Sequence, residues 1–329
     1  MKKFAIIGFG GLGKLHFQNL IKIEEERKDI ALVAICNDKL DEIKKTVTTN
    51  ISSVSLDNID FSKYNLYDDY KKMIENEELD FVVIALPTFL HSEVATYCLE
   101  HNIHVYSEKP MALTLDECIR MKDAAKNHNR QLMVGQCLRF TDEYMYIKKL
   151  METNEYGKVL KAEFSRKSPL PLWSAGGWLL DESKSGGIIV DFHIHDVDII
   201  NWYFGKPEKI HSISNHKEKH YASIYSLYDY GDKKVTVLAD WGLPATFSFV
   251  ASYKITFENA YIESINGDIT VYANEKIFKP ELEKGDCYYR EMCEFIDCIV
   301  NDKPLVTAPL ESVYSTMEML FEEKQMVSM

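Results

Sequence analysis

Relative to its acidic residues, this chain has little positive charge. Its 38 Lys and Arg against 51 Asp and Glu leave a formal net charge of −13 at pH 7. Nucleic acids and anionic membrane surfaces both reward clustered Lys and Arg. The few basic doublets, such as Lys44-Lys45 and Lys71-Lys72, read instead as solvated helix faces. No nucleic-acid partner and no membrane partner is expected. Paired cysteines are missing too. Cys36, Cys98, Cys118, Cys137, Cys287, Cys293 and Cys298 contain no C-x-x-C pair and are odd in number. That usage suits reduced, buried thiols in a cytoplasmic protein better than a disulfide framework or a zinc site. No apolar run is long enough to span a bilayer. Lys2-Lys3 ahead of an apolar stretch imitates a signal peptide, but glycines interrupt the stretch and no small-residue cleavage pattern follows. Internal repeats and low-complexity segments are absent from the sequence.

Near the N-terminus the apolar run Phe4-Ala5-Ile6-Ile7 leads into Gly8-Phe9-Gly10-Gly11-Leu12-Gly13. A β-strand that ends in Gly-x-Gly-x-x-Gly and opens a helix meets the needs of dinucleotide binding. The first glycine allows the tight turn, the second lets backbone approach a pyrophosphate, and the third lets helix pack on strand. The pyrophosphate then rests on the unpaired N–H groups of the helix N-terminus. Strand-like segments continue at Ala31–Cys36, Phe81–Ala85, His104–Tyr106 and Leu132–Val134. They alternate with helix-like stretches at Leu12–Glu25, Asp68–Ile74, Ser92–His101 and Asp116–His128, the last opened by the capping box Thr114-x-x-Glu117. Such alternation predicts a doubly wound parallel sheet. Thr46–Leu66 is polar and irregular, and reads as an extended connection with room for one short strand.

After a linking helix, Asp142 to Thr153, the texture changes. A strongly apolar helix is expected from about Gly187 to Phe204. Five β-like runs follow: His220–Asp229, Val235–Trp241, Ser248–Phe257, Tyr261–Ser264 and Ile269–Tyr272. Tyr230-Gly231-Asp232, Glu258-Asn259 and Asn266-Gly267-Asp268 separate some of them with hairpin chemistry. This half predicts an α+β domain with an open antiparallel sheet, closed by a helix over Cys287–Asn301. The expected division is a dinucleotide-binding domain over residues 1–137 and a substrate and oligomerisation domain over 138–329.

Three places carry chemistry. Ser107-Glu108-Lys109-Pro110 follows the strand at His104–Tyr106, and in an open parallel sheet ligands bind beyond the carboxyl ends of strands. That position turns Lys109 into a candidate rather than a surface lysine. The second place is Gly186-Gly187-Ile188-Ile189-Val190-Asp191-Phe192-His193-Ile194-His195-Asp196-Val197-Asp198. On a helical period Asp191, His195 and Asp198 share one face of an otherwise apolar, hence buried, helix. A polar stripe there is either paired internally or faces a cavity. His193 and His195 invite a metal reading, but helical residues two apart project in nearly opposite directions, so no metal is expected. A core histidine satisfied by an aspartate one turn away remains the plain alternative. Third, Asn37-Asp38-Lys39 ends the second strand, where a carboxylate commonly accepts from the ribose of NAD. Asn37 holds that place, Asp38 comes one residue late, and Lys39 suits a 2′-phosphate. NAD and NADP both remain open, with a lean to NAD through Asp38.

Together these residues resemble the glucose-fructose oxidoreductase/inositol dehydrogenase/MocA (Gfo/Idh/MocA) family of NAD(P)-dependent sugar and polyol oxidoreductases. The resemblance runs through the glycine turn with Lys14-Leu15-His16, Ala85-Leu86-Pro87-Thr88-x-x-His91, Glu108-Lys109-Pro110, Arg139-Phe140 and Trp178. It ends in Gly186-Gly187 with Asp191-x-x-x-His195-Asp196-x-Asp198. It implies hydride transfer between a secondary hydroxyl of a sugar, polyol or cyclitol and nicotinamide, with Lys109, Asp191 and His195 as the catalytic set. It implies cofactor contacts from Gly8 to Gly13, from Asn37 and Asp38, and from Pro87, Thr88, His91, Glu108 and Lys109. Homodimers or homotetramers through the C-terminal sheet are also implied. Two departures stand out: Ile188 where a third glycine is frequent, and Asn37 where aspartate is frequent. In such a site His195 suits the base, Asp191 its orientation or a substrate hydroxyl, and Lys109 the charge developing on oxygen. Arg166, Trp173, Trp178 and Tyr289 are candidate substrate contacts. One rival shares the architecture, an NAD-dependent glycosidase that oxidises a ring carbon transiently; a rival from another class is a non-catalytic regulator that binds sugar and cofactor.

Overall fold

The computed structural model of the chain describes residues 1–45, 47–48, 53–54, 56, 59–217 and 220–328. Contacts divide the chain into two compact units, Met1–Cys137 with Tyr288–Leu310, and Leu138–Cys287 with Glu311–Met329.

The first unit opens with β1 (Lys2–Ile7), α1 (Gly11–Arg27) and β2 (Ile30–Cys36). The expected extended connection over 46–66 lies partly outside the described residues. Of the part described, Val47–Thr48 (β3) pairs antiparallel with Ser53–Val54 (β4), and Asn65–Tyr67 (β5) runs parallel to β2. Then come α2 (Tyr70–Asn76), β6 (Phe81–Ile84), α3 (His91–Glu100), β7 (His104–Glu108), α4 (Leu115–Asn127) and β8 (Leu132–Gly135). The sheet order is β5-β2-β1-β6-β7-β8, every pairing parallel. Strands covered on both faces read as continuous apolar runs rather than alternating ones. Phe4, Ala5 and Ile6, and all of Phe81–Ile84, are accordingly inaccessible. Thr114 accepts from the Glu117 N–H at 3.2 Å, as the capping box predicts, while Glu117 reaches back to the Leu113 N–H at 3.0 Å.

The second unit begins with α5 (Asp142–Glu152), β9 (Val159–Pro169) and the single turn α6 (Glu182–Ser185). A π turn over Ile188–Phe192 leads through His193 into α7 (Ile194–Phe204). Seven strands follow: β10 (Lys209–Lys217), β11 (His220–Asp229), β12 (Lys234–Leu243), β13 (Val250–Phe257), β14 (Ala260–Ile265), β15 (Asp268–Ala273) and β16 (Lys276–Phe278). Their order with β9 is β10-β11-β12-β9-β13-β14-β15-β16. The sheet is mixed rather than purely antiparallel, because β9 lies parallel to β12 and antiparallel to β13. The predicted turn Asn266-Gly267 has both residues left-handed, at φ +49° and +84°. That is the twist-matched geometry of a two-residue hairpin loop.

The last two helices part company. α8 (Cys287–Asn301) belongs to the first unit from Tyr288 onward, and α9 (Leu310–Val327) to the second from Glu311. The contacts therefore move Tyr288–Leu310 out of the contiguous second domain expected over 138–329. Phe295 of α8 stands edge-on to Phe81 at 5.7 Å and to Tyr106 at 5.9 Å, and the Tyr106 hydroxyl donates to Glu291 Oε1 at 2.6 Å. Among the described residues no helix is long and apolar enough to cross a membrane.

Within the second unit Arg139 is wholly buried and grips Asp198 of α7 with two bonds, Nε to Oδ2 at 2.7 Å and Nη2 to Oδ1 at 2.6 Å. Removing one partner of such a pair leaves an uncompensated buried charge. Arg139→Leu is expected to cost about 3–5 kcal/mol, read as a lower urea midpoint. Adding Asp198→Leu should restore most of that loss.

Candidate active site

The glycine turn is built as the spacing predicts. Gly8 sits at φ +89°, and a Cβ there would lie 2.5 Å from the Ala85 carbonyl oxygen. A Cβ on Gly13 would run into the Gly8 carbonyl oxygen. Both glycines are demanded by the chain's own packing. Gly10 is different: its φ is an ordinary −77°, and a Cβ would meet nothing within 4 Å. At that position the chain's own packing does not require glycine. Gly10 also begins α1 with no side-chain cap and no acidic residue in the first turn. An uncapped, acid-free N-terminus beside an unrequired glycine fits an anionic ligand. Phe9 is buried, while Gly11 and Leu12 are half-buried on the first turn of α1.

Asn37, at the end of β2, is spent on this loop. Its Oδ1 accepts from the Phe9 N–H at 3.0 Å and its Nδ2 donates to the Lys39 carbonyl at 2.9 Å. Asp38 and Lys39 are exposed beside it. Lys14 is buried, its ammonium donating to the carbonyls of Glu42 at 3.0 Å and Lys45 at 2.5 Å. Burial pulls its pKa below the usual lysine value.

Lys109, half-buried, follows β7 on a cis bond to Pro110. Glu108 just before it is buried. One carboxylate oxygen faces His16 Nε2 of α1 at 2.6 Å and the other accepts from the Lys109 N–H at 3.2 Å. His91, wholly buried, places Nδ1 2.8 Å from the Pro110 carbonyl and Nε2 2.8 Å from that of Leu86. Burial lowers its pKa against the opposing pull of those two carbonyls. Pro87 precedes a short 3₁₀ turn over Thr88–Leu90, in which Thr88 is buried.

In the second unit the expected single helix from Gly187 is corrected. Gly186 and Gly187 are both left-handed, at φ +77° and +68°, and the first turn is π, with the His193 N–H bonded to the Ile188 carbonyl at 2.8 Å. The wide turn interrupts the regular helical spacing between Asp191 and His195, while His195 and Asp198, three apart within α7, keep it. Asp198 is buried on Arg139 and on Thr316 of α9, whose hydroxyl donates to Oδ1 at 2.9 Å. Asp196 is buried on Arg166 of β9 through bonds of 2.8 and 3.1 Å. His193 is buried against Glu323 of α9 at 3.2 Å, where the Tyr228 hydroxyl also donates at 2.7 Å. Asp191 lies at the edge of burial, at 9% exposure, and His195 is half-buried. π turns inside helices concentrate at functional sites.

The substrate candidates scatter. Trp173 is 58% exposed on a loop, and Trp178 is half-buried in the 3₁₀ segment Ala175–Leu180. Arg166 is engaged by Asp196 and lies 5.7 Å from the Phe249 ring centroid. Tyr289 belongs to the first unit, with its hydroxyl on Glu26 and Lys22 4.6 Å over its ring. Sequence reasoning missed the partners of these groups: Arg139 for Asp198, Glu323 for His193, and Glu291 beside His16 and Glu108. Among the described residues, donor atoms of His16, Glu108 and Glu291 come within 4.8 Å of one another, all three buried. The signal for Glu291 was weak, a lone acid on the apolar face of α8.

Known proteins bear on this arrangement. Residues 2–136 match the GFO/IDH/MocA model described as an oxidoreductase family with an NAD-binding Rossmann fold, and residues 144–272 match the GFO/IDH/MocA C-terminal domain. A myo-inositol 2-dehydrogenase of Thermotoga maritima is 28% identical over 208 residues, 62% of this chain and 55% of that protein. A 2,7-anhydro-N-acetylneuraminate hydratase of Mediterraneibacter gnavus is 26% identical over 208 residues, 63% and 50% of the two chains. The chain thus spans about half the length of these curated relatives. The solved aldose-aldose oxidoreductase of Caulobacter crescentus superposes with a TM-score of 0.83 at 15% identity, covering 99% of this chain and 97% of that one. At that identity the likeness speaks for the fold alone. With both of its domain models matched in order along the sequence, the chain belongs to the GFO/IDH/MocA oxidoreductase family.

Proposed function

We propose that this protein is an NAD(P)-dependent oxidoreductase acting on a secondary hydroxyl of a sugar, polyol or cyclitol. The observation that carries the reading is the π turn of Ile188–Phe192, which holds Asp191 at the edge of burial and leads into α7, where His195 is half-exposed. A base that must meet a substrate needs that exposure.

Gly8–Gly13 would hold the pyrophosphate of the dinucleotide, which when bound would supply the hydride acceptor or donor. His195 takes the hydroxyl proton as hydride leaves the same carbon, since the carbon–hydrogen bond gives up hydride readily only as oxygen loses its proton. Asp191 orients the imidazole or accepts from a neighbouring substrate hydroxyl. Lys109 stabilises the charge that develops on oxygen. Asp38 gives a lean to NAD, and Trp173 and Trp178 offer the second unit's aromatic faces for a sugar ring. Arg166 serves through Asp196, and Tyr289 braces α8 on α1. The reaction needs no metal in this reading. Cysteines that are in no disulfide favour a reducing cytoplasm. Screening polyols, aldoses, cyclitols and sugar acids with NAD and NADP by nicotinamide absorbance tests the whole reading. Net formation of reduced cofactor is expected, and its absence across the screen sinks the dehydrogenase assignment.

We assign the outer face of the eight-stranded sheet to self-association as a homodimer or homotetramer. Ile213 (72% exposed) and Tyr225 (40%) pair across β10 and β11, and Leu238 follows on β12, beside a groove of about 1060 Å³. Ile213→Glu with Tyr225→Glu should lower the mass seen by analytical ultracentrifugation; an unchanged mass rejects this face.

Two contrasts test the site. Gly10→Val should leave thermal stability nearly unaltered and abolish NAD binding by calorimetry, whereas Gly13→Ala should cost about 1–3 kcal/mol or more through overpacking. Should Gly10→Val bind NAD like the parent, the turn is only structural. Running NAD and NADP side by side in that titration decides between them. His195→Ala should lower turnover about 10²–10⁴-fold with cofactor affinity unchanged. His193→Gln, made within the core, should lower stability and spare the chemical step. The parent's oxidation rate should climb with pH, because the base must start unprotonated.

A further inference from the structure

Lys109 is held by its backbone on both sides, and by imidazoles. On the N-terminal side its own N–H donates to Glu108 Oε2 at 3.2 Å. The other oxygen of that carboxylate meets His16 Nε2 at 2.6 Å. His16 is inaccessible to solvent, and its ring is boxed edge-on by Tyr106 at 5.2 Å and Tyr288 at 5.8 Å. Tyr106 is itself fixed by its bond to Glu291. On the C-terminal side the Pro110 carbonyl meets His91 Nδ1 at 2.8 Å, and the same ring reaches Leu86, two residues beyond β6. Neither buried imidazole is free to meet a substrate, so neither is a base for the reaction. Each instead joins the Lys109 turn to a different element, α1 in one case and the loop after β6 in the other.

We infer that His16, acting through the Glu108 carboxylate, and His91, acting on the Pro110 carbonyl, are positioning residues that fix the backbone of Lys109. The inference rests on the reading of Lys109 as catalytic. The side of this clamp nearest α1 matters most, because the same helix begins at the glycine turn. His16 therefore ties the seat of the dinucleotide and the seat of the lysine into one rigid frame. Misplacing a catalytic group by about 1 Å costs about a hundredfold in rate without loss of binding. A residue important only for stability does not produce that split.

The test uses the full chain with NADH, and the polyol turned over in the screen above. His16→Leu, His16→Gln and Glu108→Gln are compared with the parent, and Lys109→Ala serves as reference. Hydrogen exchange over Glu108–Met111 reads the clamp directly, since Pro110 carries no amide proton and the Lys109 N–H is one of few in the segment. In His16→Leu that amide should exchange about tenfold faster or more. Its kcat should fall about ten- to a hundredfold, while KM and the NADH Kd from nicotinamide fluorescence stay within about threefold. His16→Gln, which keeps a donor for Glu108, should recover most of both. Unchanged exchange in His16→Leu overturns the proposal, and so does unchanged kcat where Lys109→Ala lowers it. If Lys109→Ala leaves turnover intact, or no polyol reacts, the catalytic reading of Lys109 fails. The exchange measurement alone then decides the clamp. If His16→Leu does not fold, Glu108→Gln, whose neutral side chain is a weaker acceptor for the Lys109 N–H, is read by hydrogen exchange alone, and unchanged exchange there overturns the proposal.

Discussion

The orientation of α7, and with it of His195, depends on buried ion pairs along that helix. Asp196 and Asp198 each hand a carboxylate to one arginine, Arg166 from β9 and Arg139 from the start of the unit. His193 closes on Glu323 from the far end of the chain. Such pairs contribute little net stability compared with well-packed apolar groups, yet breaking one is costly. What they supply here is direction. α7 carries almost no amphipathic signal that could set its rotation, since it is apolar nearly all round. Three polar contacts from three separate elements set its rotation instead, and with it the side on which His195 emerges.

The same division of labour governs the first unit. Gly8 and Gly13 are fixed by packing and Gly10 is not, so within one hexapeptide two glycines serve the fold while a side chain at the third would meet nothing. Asn37 shows how far such a loop depends on its neighbours. A residue placed by analogy at the ribose turns its carboxamide back to hold the Phe9 amide. Beside it stands exposed Asp38, the carboxylate nearest in sequence to the position where a ribose is commonly met.

Much of this was legible in the residues. Parallel strands buried on both faces announce themselves as unbroken apolar runs, and the hairpins by Asn-Gly and Gly-Asp. The helix Cys287–Asn301 was readable to the residue, because its apolar face repeats cleanly. β9 was not. Its sequence Val-Leu-Lys-Ala-Glu-Phe-Ser-Arg-Lys-Ser-Pro carries charge on nearly every second residue and looks like a loop, although Ala162, Phe164 and Arg166 all point inward. The π turn was equally hidden. Its β-branched and aromatic residues do not tell a π turn from a helix, and it follows two left-handed glycines. Tertiary partners of charged groups leave no local trace. For that reason the candidate bases could be read from the sequence, and the arginines and glutamates that hold their neighbours could not.

The path of the chain through its two units has a consequence for how the molecule can be taken apart or have arisen. Backbone passes from one to the other at 137/138, at 287/288 and again at 310/311. A gene fragment ending at Cys137 would encode the parallel sheet without Phe295, leaving the flanks of Phe81 and Tyr106 bare and Tyr106 without its glutamate. The dinucleotide-binding half is thus not a cassette that recombination can lift out with a single cut. It travels only with a loan from near the other terminus, and any graft of this unit onto a new partner must carry residues 288–310 along with it.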